Sequence, residues 1–83
     1  MDFGAIFETF VYNELRYIHG EDALNYWRTK DKKEIDFILR NGSRNEAIEV
    51  KYTDQKVNFE VFSGEYPGFS TKVVSRKNVF GML

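Results

Sequence analysis

Glu34-Ile35-Asp36-Phe37-Ile38-Leu39, followed after a short polar turn by Ala47-Ile48-Glu49-Val50-Lys51, is the stretch whose reading decides the fold. Branched and aromatic residues alternate with charged ones, and in a pleated strand successive side chains leave opposite faces. The alternation predicts that Ile35, Phe37 and Leu39 face one way and Glu34, Asp36 and Ile38 the other. In the second segment Ile48 and Val50 share one side, while Ala47, Glu49 and Lys51 share the opposite one. Asn41-Gly42-Ser43 is a turn signal of the Asn-Gly type, and a loop over 41–45 is too short for a parallel crossover. Strands over 34–40 and 46–52 are therefore expected to pair as an antiparallel hairpin, which brings Asp36 beside Glu49 and Lys51.

Working outward, residues 23–29 are rich in strand formers and predict a preceding strand, with Tyr26 and Trp27 on opposite faces. Lys30-Asp31-Lys32-Lys33 is a charged turn, and with Arg28 it makes the densest basic cluster of the chain. That cluster reads either as a solvated turn or as a loop whose Arg28, Lys30, Lys32 and Lys33 contact nucleic-acid phosphates. Before it, Phe3, Phe7, Phe10, Val11, Leu15 and Ile18 recur at helical spacing and predict a helix over 3–18, capped by Asp2 and ended near Gly20. Glu8 lies at the border of that stripe, where periodicity alone makes it a solvated flank residue. His19, the only histidine, sits at the helix end in a capping or surface role.

Downstream, Val57, Val61 and Phe62 predict a second helix over 54–65 with Asp54 as its cap, stopped by Tyr66-Pro67-Gly68. Thr71-Lys72-Val73-Val74-Ser75 is a β-branched fourth strand. A helix between strands three and four suits a right-handed crossover that lays strand four parallel to an earlier one. The expected architecture is α/β, a helix, three strands, a helix and a strand, with a mixed sheet. The apolar tail from Asn78 to Leu83 packs on the core, pairs with another subunit or continues into further sequence.

The 83 residues form one small domain over 1–83, since neither half would hold a core of its own. A hydrophobic share of 42% with 17% aromatics argues for a folded chain. Twelve basic residues against 13 acidic ones leave a net charge of -1, so any attraction to nucleic acid must come from a local patch. The lack of cysteine removes disulfides and thiolate metal sites. No apolar run near ~20 residues predicts a membrane span, and no secretory signal opens the chain, so a cytoplasmic location is expected.

Two carboxylates converging at a sheet edge repel each other unless a cation sits between them. A hard divalent ion, magnesium or manganese, takes oxygen ligands, and one or two carboxylates with water and substrate phosphate complete its octahedron. Asp36 and Glu49 suit that task, with the Val50 carbonyl as a further ligand, and the Lys51 ammonium suits stabilisation of charge in a phosphoryl transition state. Read from spacing alone, the same residues also make an ordinary solvated face with a surface ion pair.

A helix bearing Glu8, an acid in strand two and acid-x-lysine in strand three, followed by helix and strand, resembles the PD-(D/E)XK superfamily of restriction-endonuclease-like and resolvase-like nucleases. Gly4-x-x-Phe7-Glu8-x-Phe10-Val11-x-x-Glu14-Leu15, Tyr26-Trp27-Arg28, Glu34-Ile35-Asp36-Phe37-Ile38 and Ile48-Glu49-Val50-Lys51 look like the nuclease-like domain at the C-terminal end of archaeal and bacterial AAA+ ATPases. The resemblance runs over about 4–75. It implies a restriction-endonuclease-like fold, with Glu8, Asp36 and Glu49 as the acidic metal set and Lys51 as the catalytic lysine. It further implies a magnesium- or manganese-dependent endonuclease acting on DNA. The phosphate loop GxxxxGK(S/T) of an ATPase is missing, so the chain is expected to be a piece of a larger ATPase. The alternative is a non-catalytic module that keeps the fold to bind nucleic acid, an ATPase partner or a second copy of itself.

Overall fold

Asp2 opens the first helix as expected: its Oδ1 accepts the Ala5 N–H at 3.0 Å, meeting one of the donors a helix start leaves free. The structure, a computed structural model, describes residues 1–83. Helix α1 spans Phe3–His19 and ends at Gly20, whose N–H donates back to the Arg16 carbonyl. Gly20 has φ +88° and ψ 153°, a conformation essentially closed to residues with a Cβ. Gly20→Ala is expected to lose roughly 1–3 kcal/mol of stability for that reason, measurable by urea denaturation.

Strand β1 covers Leu24–Arg28, β2 Glu34–Asn41, β3 Arg44–Val50 and β4 Ser70–Val74. They form one sheet in the order β1-β2-β3-β4, with β1/β2 and β2/β3 antiparallel and β3/β4 parallel. The expected α/β arrangement of helix, three strands, helix and strand is therefore present. The β2–β3 turn is tighter than read from sequence. Its central pair is Gly42-Ser43, with positive φ (+65°) at Gly42 alone, so glycine's freedom is used at the first central position and Asn41 stays in the strand.

One layer of core lies between α1 and the sheet, where Phe7, Val11 and Leu15 meet Leu39, Ile48, Val50 and Val74. The other holds Ile35, Ile38, Ala47 and Phe62, with Trp27, Phe59 and Phe69 packed against them. The α1 stripe is narrower than its periodicity suggested, because Phe3, Phe10 and Ile18 are exposed; Phe3 stacks on Tyr52 at 5.6 Å. Helix α2 is only Glu60–Glu65. Asp54 does not cap it, being hydrogen-bonded to Ser75 Oγ at 2.9 Å and paired with Lys77 Nζ at 3.1 Å. Asn58 Oδ1 accepts the Glu60 N–H, a local bond that competes with earlier helix formation. The tail packs on the core: α3, Val79–Met82, buries Val79, and the Met82 carbonyl receives Lys72 Nζ. No helix is long and apolar enough to cross a membrane.

Face assignment along β2 is where strict alternation fails. Ile35 joins Ile38 in the α2-side cluster, while Leu39 joins the α1-side one with Phe37 against it. The cause lies in the β1–β2 register, which runs Asn25↔Ile38 and then Trp27↔Ile35, two steps on β1 against three on β2. The additional β2 residue is a β-bulge, which re-aims side chains on the bulged strand.

Candidate metal cleft

The bulge decides where Asp36 points. In a regular strand Asp36 would share a face with Ile38, which is buried against α2. Instead it lines two surface depressions together with residues of α1, one with Tyr12 and one with Glu8. The second, of about 260 Å³, also takes in Arg28 and Glu34. One extra residue in β2 thus brings an acid of the sheet to an acid of the helix.

Regular β2–β3 pairing runs from Asn41/Arg44 to Phe37/Ile48 and stops there. Beyond that point the two candidate acids replace the ladder. The Asp36 N–H donates to Glu49 Oε1 at 2.8 Å, and the Val50 N–H donates to Asp36 Oδ2 at 2.8 Å. Each carboxylate is therefore held by the backbone of the opposite strand through one oxygen, and each keeps a second. Glu49 is 6% exposed and lies inward of Asp36. Its Oε2 faces Lys51 Nζ at 3.9 Å. The expected neighbourhood of Asp36, Glu49 and Lys51 is present, and Val50 joins it through its N–H.

The charges in this corner are out of balance. Burial pushes the Glu49 carboxyl up to about 7, and the adjacent Asp36 charge adds to the rise, against the Asp36 N–H and Lys51. Asp36 is raised by burial, while the Val50 N–H and Lys51 pull it down. Glu8, exposed on α1, is raised as well, by partial desolvation first and then by Asp36 and Glu34. Burial leads each of the three rises, and repulsion among the neighbouring acids adds to it.

A hard divalent cation between the acids would relieve that repulsion. No three or more His, Asp and Glu side chains converge closely enough to cage an ion. Magnesium does not need such a cage, since it keeps several waters and uses one or two carboxylates. The donor set of Asp36 and Glu49, all oxygen and fixed by backbone bonds, meets that requirement. Glu8 lines the same depression as Asp36.

The clasp also has a structural role, which substitution separates from the charge. Asp36→Asn keeps an acceptor for the Val50 N–H. Asp36→Ala leaves that donor unpaired and is expected to cost about 1–3 kcal/mol more than Asp36→Asn in chemical denaturation.

The basic residues gather at the same end of the sheet. Arg28 ends β1, and its pair with Glu34 at 3.2 Å is solvent-exposed and weak. The turn with Lys30, Lys32 and Lys33 is fixed by bonds between Thr29 and Lys33, and Lys32 takes a left-handed φ of +66°. On the other side of the carboxylates, Lys51 follows the end of β3, and just past the end of β4 come Arg76 and Lys77, two residues that the sequence pattern did not single out. The Arg76 N–H donates to the Tyr52 carbonyl and its guanidinium lies over the Tyr52 ring. Only the parallel β3–β4 pairing places them there, since in sequence they stand far from Glu49 and Lys51. His19 belongs elsewhere: its ring is bonded to Asn41 Nδ2 at 2.9 Å, tying α1 to the hairpin turn.

No curated protein and no solved structure matches the chain. A family model matches residues 3–77, so the part of the chain holding the whole sheet and the carboxylate clasp belongs to a defined family. The chain is a member of the DUF4143 family, a domain of unknown function.

Proposed function

We propose that this domain hydrolyses the phosphodiester backbone of DNA with a magnesium or manganese ion held by Asp36 and Glu49. The observation that carries the reading is the clasp itself: two desolvated carboxylates, each fixed by a backbone N–H, with Lys51 at 3.9 Å from one of them. The order of elements and the four motifs resembling PD-(D/E)XK nucleases support it, as does the origin of Asp36, Glu49 and Lys51 in two neighbouring strands. A bound divalent ion would supply Lewis-acid polarisation of the phosphoryl oxygen and a water of lowered proton affinity.

The chain's own residues do the rest. Asp36 and Glu49 hold the ligand oxygens in place. Lys51 brings its ammonium toward charge that grows on the phosphoryl oxygens in the transition state, where a fixed charge acts most strongly. Glu8, its proton affinity raised, is suited to accept a proton from an attacking water or to orient it. Arg28, Lys30, Lys32, Lys33 and Arg76 flank the carboxylates along one sheet end and would hold the backbone on either side. The test is strand cleavage with magnesium or manganese: the wild-type chain cuts, Asp36→Asn does not and Lys51→Ala cuts far more slowly, and undiminished activity in both variants removes the assignment.

The second reading, a non-catalytic module that binds an ATPase portion or a second copy, draws on one observation. Phe3, Ile6, Phe10 and Ile18 leave apolar surface exposed along α1. Sedimentation at several concentrations, together with an inert cleavage assay, would favour it.

A further inference from the structure

On the α2 side of the sheet a depression of about 270 Å³ is lined by Tyr26, Trp27, Phe62, Tyr66, Phe69 and Arg40. Its rings form a connected set. Phe62 meets Trp27 edge-on at 5.4 Å, Tyr66 in a stack at 5.0 Å and Phe69 edge-on at 5.5 Å. Phe62 belongs to the core, with Trp27 and Phe69 packed against it, whereas Tyr26 is 73% exposed and Tyr66 also stands open to solvent. The volume is below the roughly 300–1,000 Å³ of sites for larger ligands, so it suits a single flat ring system.

The polar groups of the depression narrow the occupant. Arg40 lies over the Phe69 ring at 5.3 Å and takes part in none of the chain's salt bridges. No carboxylate lines the depression, and Asn25 adds an amide able both to donate and to accept. Aromatic faces, an unpaired guanidinium and one amide match a planar heterocycle carried on an anionic backbone. Tyr26 and Trp27 also line the cleft that holds Asp36 and Glu8, so the two depressions meet around the β1 edge.

We infer that this depression binds an unpaired nucleobase of a single-stranded segment whose backbone crosses the Asp36 cleft. The inference rests on the phosphodiesterase reading and deepens it, by assigning substrates with an unstacked base beside the cleavage point. Base stacking on protein rings tolerates any sequence, so selectivity here is for strand state and not for a particular base.

Trp27 is the only tryptophan and reports on the depression directly. The experiment titrates the full chain, in chelator and therefore without cleavage, with a single-stranded oligodeoxythymidylate, the same strand made abasic, and a blunt duplex. The expected result is saturable quenching of Trp27 emission by the single strand, with affinity weaker by about tenfold for the abasic strand, which has the same charge. Tyr66→Ala and Arg40→Gln are expected to weaken the single strand about tenfold as well, while leaving the magnesium-induced rise in melting temperature intact. That thermal readout reports the carboxylate cleft separately, so loss of the base site and loss of the metal site are distinguishable. Equal binding of normal and abasic strands would overturn the inference, as would quenching that follows protein concentration alone and so marks a contact between copies. Because the abasic comparison uses the unaltered chain, a variant that fails to fold does not rescue the proposal.

Discussion

Glu49→Gln is expected to be more stable than the wild-type chain at about pH 8 in chelator, by up to about 3 kcal/mol, with the advantage gone below the ordinary carboxyl range. The sign follows from the direction of the shift. Folding raises the Glu49 carboxyl from 4.5 to about 7, so between those values the folded chain holds a proton that the unfolded chain has released. Stability from this group is complete below pH 4.5 and is lost as pH rises through about 7. The raised Asp36 adds to the same trend at lower pH. Glutamine keeps the acceptor that Glu49 presents to the Asp36 N–H and carries no charge at any pH, so its melting curve should lose the alkaline decline. Urea denaturation of both chains across this range checks the prediction. Parallel profiles for the two would mean that Glu49 is not the group responsible. For a domain whose whole stability is on the order of 5–15 kcal/mol, an effect of this size is large.

Lys51→Ala is expected to reduce kcat by about 10²- to 10³-fold with little change in KM, because a charge that acts on developing phosphoryl charge contributes to the transition state more than to binding. It should have a second signature. Lys51 holds the proton affinity of Glu49 down, so without it Glu49 ionises at higher pH. The pH dependence of magnesium binding then shifts in the alkaline direction. A merely structural lysine would leave both the kcat and the binding profile unmoved.

The arrangement of elements was legible in the sequence because its signals are local. Asp2 and Gly20 mark the ends of α1, a glycine turn joins β2 to β3, and Pro67 follows α2. The pairing of Asp36 with Glu49 and Lys51 was legible too, since hairpin register follows from the turn. What escaped depends on partners distant in the chain. The bulge opposite Asn25 and Trp27 leaves no mark in the alternation of Ile35 to Leu39, yet it moves Ile35 to the α2 side and sets Asp36 toward α1. The helix expected over 54–65 is shortened because Asp54 is engaged by Ser75 and Lys77, neither close to it in sequence. Arg76 and Lys77 come to the same sheet end as the clasp only through the parallel β3–β4 crossover, and the aromatic depression brings together residues of β1, β2 and the segment around α2.

Glu8 shows how far the sequence carries. Periodicity places it on the border of the helix and suggests a solvated flank, and it is exposed in the structure. The resemblance to nucleases gives it a metal role, and its raised proton affinity, caused in part by Asp36, places it within the same electrostatic neighbourhood. The part proposed for it rests on its place in the same depression as Asp36, and not on direct contact with the clasp.

Calorimetric titration of the chain with magnesium, and separately with manganese, at about pH 8 measures whether Asp36 and Glu49 hold a divalent ion. The expected result is one divalent ion per chain at millimolar or lower concentration, release of protons when the titration is repeated near pH 7, and loss of binding in the Asp36→Asn/Glu49→Gln double variant. A chain that takes up no divalent ion at millimolar concentration, or a double variant that binds as well as the wild type, would contradict it.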